Sequence, residues 1–202
     1  MRAVITESDI PHAGDLKIAR GAIVTPSARD LARERGVRLL EVAQDQLDAA
    51  TPAKTIAIGA DHGGFALKEA LKPLLSDLGL AFLDVGVHEA APADYPDIAH
   101  KVCAEMKAGK AIRGVIVDGA GIGSAMAANK VPGIRAALCY DRASARNSRE
   151  HNDANVLTLG GRMLTQSQAE DVLRTWLATP FGGGRHQSRI DKITAIEKTY
   201  LK

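Results

Sequence analysis

From residue 56 onward the sequence predicts an α/β fold, a parallel five-stranded sheet covered by helices on both faces, and three observations lead there. Short apolar runs alternate with amphipathic helical stretches, five such runs occur, and the polar residues with chemical potential stand where the runs end. A strand that returns parallel to its neighbour carries a helix across the sheet in a right-handed crossover, so this alternation buries both faces.

Ile56 to Ala60 is the first expected strand of this body. It is followed by a helix in which Leu67, Leu71, Leu74, Leu75 and Leu78 fall at helical spacing, with Pro73 expected to bend it or remove a backbone bond. Ala81 to Val85 is the second strand. Tyr95-Pro96 marks a turn, and Ile98, Val102, Cys103 and Met106 define the next helical face. Gly114 to Val117, Arg135 to Cys139 and Asn155 to Leu159 complete the five strands, with a short helix at Ala125–Asn129 and longer ones near Asp141–Arg149 and Gln166–Leu177.

The residues before this body have another character. Thr25-Pro26 supplies an N-cap followed by proline at the first helical position, Ser27 to Arg35 suits a short helix, and Gly36 can end it before a strand at Val37 to Leu40. Gln44 to Lys54 resembles a linker. Residues 1–54 are therefore taken as an extension with a linker and residues 55–202 as the main domain. With few large apolar residues, the extension is expected to need the main body or a partner to fold against.

A chain of 202 residues with 26 Lys and Arg against 24 Asp and Glu gives no electrostatic reason to expect nucleic acid, although the excess of cations is concentrated in the C-terminal third. The start lacks a signal-peptide hydrophobic region, no charge-free run reaches membrane-spanning length, and two cysteines make no disulfide framework. A cytoplasmic protein without a membrane partner is expected.

The densest chemical signal is Asp118-Gly119-Ala120-Gly121-Ile122-Gly123-Ser124, directly after the apolar run Gly114-Val115-Ile116-Val117. Such a turn fixes a carboxylate at a strand end and exposes backbone N–H groups to an anion. It lacks the Gly-Lys-Ser/Thr ending of a phosphate-binding P-loop, and its glycines, spaced by two throughout, fit a dinucleotide fingerprint poorly. No Cys/His or carboxylate cluster has metal-ligand spacing, so neither a metal nor a cofactor is expected.

Several ordered motifs together resemble one family: Gly59-Ala60-Asp61-His62-Gly63-Gly64-Phe65, Asp94-Tyr95-Pro96, the glycine turn with Ala127-Ala128-Asn129-Lys130, Ser148-Arg149-Glu150-His151-Asn152-Asp153-Ala154-Asn155, and Gly183-Gly184-Arg185-His186-Gln187-Ser188-Arg189. Over residues 55–198 the chain is similar to the ribose-5-phosphate isomerase B family, which includes the galactose-6-phosphate isomerase subunits. The resemblance implies a Rossmann-like three-layer protomer. It also implies a homodimer or dimer of dimers with active sites shared between subunits, and metal-free aldose–ketose isomerisation of a phosphorylated sugar through an enediol.

The resemblance also implies roles. His151 matches the ring-opening histidine, with a surface or helix-capping histidine as the alternative. Asn152 matches a group that hydrogen-bonds the substrate or enediolate. Asp61 and His62 match a substrate-binding pair, Asp61 as a catalytic group that accepts sugar hydroxyl bonds or steers ring opening and the histidine toward phosphate, and either could instead cap the following helix. Tyr95 is a pocket residue or a packed aromatic, and Gly119, Gly121, Gly123 and Ser124 line the substrate. Arg162, Arg185 and Arg189 match phosphate-site arginines, whose planar forks suit a phosphate; His186 is less clearly assigned.

The chain departs from the family at the head of the turn. Many members carry a catalytic cysteine at the position of Asp118, and another branch takes its base from a glutamate at the position of Ser124. Ala120 stands where a hydroxyl residue is common. Asp118 is expected to replace the thiolate as base, or else to cap the turn or bind a sugar hydroxyl. The competing functions are a weakened sugar-phosphate sensor and a scaffold. The extension is expected to pack on the dimer, cover the pocket, or contact a further partner.

Overall fold

The structure, a computed structural model of the chain, describes residues 4–11, 14–43 and 55–201. It divides into two compact units, Met1–Pro52 and Ala53–Lys202. The expected linker, Gln44 to Lys54, lies outside the described residues.

The first unit contains β1 (Val4–Ile5), β2 (Asp15–Ala19), β3 (Ile23–Val24), α1 (Pro26–Glu34) and β4 (Arg38–Val42). The Thr25 hydroxyl accepts from the Ala28 N–H at 3.3 Å with Pro26 opening the helix, and Gly36 follows it in the left-handed region at φ 65°. β1 pairs with β3 and β2 with β4, both parallel. Arg38 holds Asp15 across the second pair through two hydrogen bonds of 2.7 and 2.8 Å. Ile10, Ile18, Val24, Ala28, Ala32 and Val37 form a small core belonging to this unit.

In the second unit, β5 (Ile56–Ala60), β6 (Phe82–Asp84), β7 (Arg113–Asp118), β8 (Ala136–Leu138) and β9 (Val156–Gly160) form one sheet in the order β6-β5-β7-β9-β8, every pair parallel. The helices are α2 (Phe65–Asp77), α3 (Tyr95–Lys107), α4 (Ile122–Ala128), α5 (Arg142–Glu150), α6 (Gln166–Ala178) and α7 (Gln187–Tyr200). Alternation along the strands divides the core in two. Ile56, Ile58, Val115, Val117, Leu157 and Leu159 pack with residues of α2, α5 and α6, whereas Ala57, Ile116 and Val156 pack with residues of α3 and α4. The result is the Rossmann-like three-layer α/β sandwich.

Helix α2 continues past Pro73 to Asp77. Trp176 of α6 is fully buried, with the Arg113 and Arg149 guanidinium groups 5.3 and 5.7 Å from its ring. Among the described residues, no helix is long and apolar enough to cross a membrane. Strand β5 has β6 on one side and β7 on the other, so the chain reverses its direction of travel across the sheet between them. In open parallel sheets, the crevice beyond the carboxyl ends at such a reversal is where ligands bind.

Candidate active site

Asp61 and Asp118 stand at this reversal, directly after β5 and at the last position of β7. Asp61 is buried, and its Oδ1 accepts from the Gly64 N–H at 2.9 Å, which closes the turn leading into α2. Its second oxygen has no hydrogen-bond partner among the described residues. His62 is exposed, with Nδ1 3.4 Å from the Ala93 N–H.

Asp118 is only 4% exposed and accepts four hydrogen bonds. Oδ1 takes the N–H groups of Ala120, at 2.8 Å, and Gly121; Oδ2 takes the N–H of Ser124, at 2.9 Å, and the Ser124 hydroxyl. A carboxylate offers about four lone-pair directions, and here its own turn supplies a donor to each. Three of those donors are backbone. The Ser124 hydroxyl alone can turn away by side-chain rotation. Ser124 is fully buried, so its hydroxyl serves Asp118 in this arrangement. The N–H groups of Gly119, Ile122 and Gly123 have no acceptor among the described residues and are available to an oxyanion.

The turn is packed from several sides. Gly121 sits at φ 78°, where an L side chain is strained. A Cβ on Gly64 would collide with the Val117 carbonyl, so only glycine lets the two loops approach. Tyr95, the first residue of α3, lies against Gly123, and the Arg162 side chain runs beside Gly119 while its backbone N–H donates to the Gly119 carbonyl at 3.0 Å. Tyr140 donates its hydroxyl to the Ala120 carbonyl at 2.6 Å.

His151 and Asn152 are placed elsewhere. They follow α5 and precede β9, at the amino end of the strands, whereas Asp61, Asp118 and Arg162 lie at the carboxyl end. The five residues of β9 span about 16 Å at ~3.3 Å per residue. The turn through Gly183 joins His151: the Gly182 N–H donates to the Glu150 carbonyl at 2.9 Å, and the His186 ring stacks on His151 with centroids 4.3 Å apart and planes 7° from parallel. Arg185 lies in the short 3-10 turn Gly184–His186 and Arg189 in α7, so the two do not share one regular helix. Among the described residues, Arg162, Arg185 and Arg189 have no carboxylate partner.

One protomer therefore gathers Asp61, His62, Tyr95, the glycine turn with Ser124, and Arg162 at one edge, and His151, Asn152, Arg185 and Arg189 at the other. Sequence reading missed Asn147, whose amide nitrogen lies 2.9 Å from His151 Nδ1; the four-residue helical spacing between them was the available signal. Tyr140 left no local signal, because its partner lies 20 residues away. Burial, with His151, Arg185 and Arg189 adding to it, pushes the His186 imidazole below its ordinary value and favours its neutral form. Among the described residues, no group of three or more His, Cys, Asp or Glu side chains is arranged to hold a metal ion.

Comparison with known proteins identifies the family. The chain is 41% identical over 145 residues to ribose-5-phosphate isomerase B of Escherichia coli, covering 72% of this chain and 97% of that protein. It is 38% identical over 144 residues to D-erythrulose-4-phosphate isomerase of Pectobacterium atrosepticum, covering 71% and 95%. The solved structure of ribose-5-phosphate isomerase B from Clostridium thermocellum superposes with a TM-score of 0.72 at 48% identity, covering 73% of this chain and 99% of that one. The Ribose/Galactose Isomerase family model matches residues 56–193, and with this match, these relatives and the five-stranded parallel sheet, the chain belongs to that sugar-phosphate isomerase family.

Proposed function

We propose that the chain interconverts a phosphorylated aldose and its ketose through an enediol, with ribose 5-phosphate and ribulose 5-phosphate as the first pair to test and residues 55–202 as the catalytic domain. The observation that carries this reading is the division of the chemistry between opposite sheet edges. One edge has carboxylates and an N–H-rich turn; the other has a histidine, an amide and two unpaired arginines. Each is half of an isomerase site, and a second copy of the chain supplies the missing half.

Apolar surface beside each half supports such pairing. Ile122, Met126 and Met163 are 47%, 65% and 60% exposed near the glycine turn. At the other edge Ile193, Ile196 and Tyr200 line a groove of about 700 Å³ that also includes Asn152. A two-fold dimer joins the first patch of each copy to the second patch of the other and builds two equivalent sites.

In the joined site, Arg185 and Arg189 of one copy bind phosphate beside His62 and Arg162 of the other, and His151 and Asn152 act at the sugar ring and the enediolate. Asp118 takes the carbon-bound proton, after the Ser124 hydroxyl turns away and frees a lone pair. Gly119 and Gly123 offer N–H groups to the developing oxyanion. Proton transfer between adjacent carbons needs no redox cofactor.

The saturated state of Asp118 favours a second reading, a sugar-phosphate binder whose carboxylate only holds the turn. Asp118→Asn separates the two in an isomerase assay over phosphorylated aldoses of four to six carbons. For a base, turnover falls by about 10²–10⁴-fold while sugar-phosphate affinity is retained. Unchanged turnover, or binding lost together with the melting transition, contradicts the role of base.

A further inference from the structure

We propose that Asn147 is a positioning residue that fixes His151 in the tautomer carrying its proton on Nε2; this rests on the reading of His151 as a substrate-facing group. The ring plane of His151 is already set by its parallel stack on the buried His186. Stacking does not decide which ring nitrogen holds the proton, because a half-turn of the imidazole leaves the plane unchanged. A hydrogen-bond partner must decide it.

That partner is Asn147, one helical turn earlier on α5, at 2.9 Å from Nδ1. An amide can present either its oxygen or its NH₂. The side-chain NH₂ of Asn152 lies 3.4 Å from both the Asn147 carbonyl and its Oδ1, which holds that oxygen toward Asn152. The Asn147 NH₂ consequently faces His151 and donates to Nδ1. With Nδ1 an acceptor, the single proton of the neutral ring resides on Nε2. The carboxylate beside Nε2, Glu150, stands at 4.0 Å, outside hydrogen-bonding range, so the Nε2–H remains available to a sugar oxygen.

Two residues of the Ser148–Asn155 motif are thereby linked through a third that precedes it: Asn152 orients Asn147, and Asn147 orients the proton of His151. His151 then presents its Nε2–H to the substrate as a donor able to polarise the ring oxygen.

The test is long-range ¹H–¹⁵N NMR of the full-length protein with ¹⁵N-labelled histidine, the His151 signals being assigned with His151→Gln, alongside steady-state kinetics. The unchanged protein is expected to show His151 as the Nε2–H tautomer. Asn147→Leu mixes the tautomers and lowers kcat by about 10-fold or more, the scale of losing a histidine's orienting partner, with little change in KM. Asn147→Asp, whose carboxylate only accepts, shifts the proton to Nδ1. An Nδ1–H tautomer in the unchanged protein, or an Asn147→Leu variant with the same tautomer and the same kcat, overturns the proposal. Absence of turnover in the unchanged protein defeats the isomerase reading instead, and the spectra still decide the role of Asn147.

Discussion

Two variants that are each inactive should restore activity when they share a dimer. Asp61→Asn damages the carboxyl-edge half and keeps an oxygen that can cap Gly64; His151→Gln damages the amino-edge half. Each alone is expected to lose about 10²–10⁴-fold in turnover as a positioned acid–base or binding group is removed. The strand between the halves makes the outcome quantitative: with about 16 Å of strand between them, Asp61 and His151 of one chain do not share a sugar in the proposed arrangement, in which each site takes one half from each copy. Random association of equal amounts gives about half mixed dimers, and each mixed dimer has one doubly damaged and one intact site, so about one quarter of the unchanged activity returns. The assay is co-expression of differently tagged variants, isolation through both tags, and turnover of ribose 5-phosphate. Isolated mixed dimers should then show about half of the unchanged activity per dimer. Mixed dimers no more active than the variants themselves would refute the shared site.

Three further outcomes follow from the same structure. Thiol alkylation should leave turnover intact, because both cysteines are buried, Cys103 with its thiol pushed up to about 11 and Cys139 also raised by burial, so neither is a ready thiolate at neutral pH; rapid inactivation with one equivalent would contradict this. Lys68→Met should destabilise the second unit by about 3 kcal/mol by unpairing a buried ion pair, since the fully buried Lys68 ammonium meets both Asp84 oxygens at 2.8 Å and the Val87 carbonyl at 2.6 Å. Burial acts to raise the Asp84 carboxyl, but its bonds to Lys68, the Gly86 N–H and Lys72 outweigh this and hold it below its ordinary value. Its contribution is therefore complete above the unfolded value near 3.8 and is lost as pH falls through the lower native value, a slope that Lys68→Met should flatten in acid denaturation. Arg189→Met should weaken phosphate binding by about 1.5–3 kcal/mol, read as a KM increase of about tenfold to a hundredfold with little loss of kcat.

The main sheet was legible because each strand is an apolar run long enough to show itself between helices, and Thr25, Pro26 and Gly36 marked the ends of α1 by local capping chemistry alone. β1 and β3 were not legible: with two residues each, they have no periodicity and exist through pairing. At the site, the carboxylates could be placed at strand ends from sequence. The saturation of Asp118 could not, since it depends on the turn folding back so that Ser124, six residues on, supplies two donors. The stack of His151 on His186 likewise joins two loops that only the packed fold brings together. The motifs named the candidate residues; strand direction showed that one chain holds them at opposite ends of the sheet.

The most direct test of the proposed chemistry is turnover in D₂O, followed by NMR over phosphorylated aldoses of four to six carbons. Isomerisation through an enediol predicts ketose formation with deuterium incorporated at the carbon next to the carbonyl, and loss of both signals in Asp118→Asn. Saturable binding of these sugar phosphates with neither ketose nor deuterium incorporation would contradict it and identify the chain as a binder.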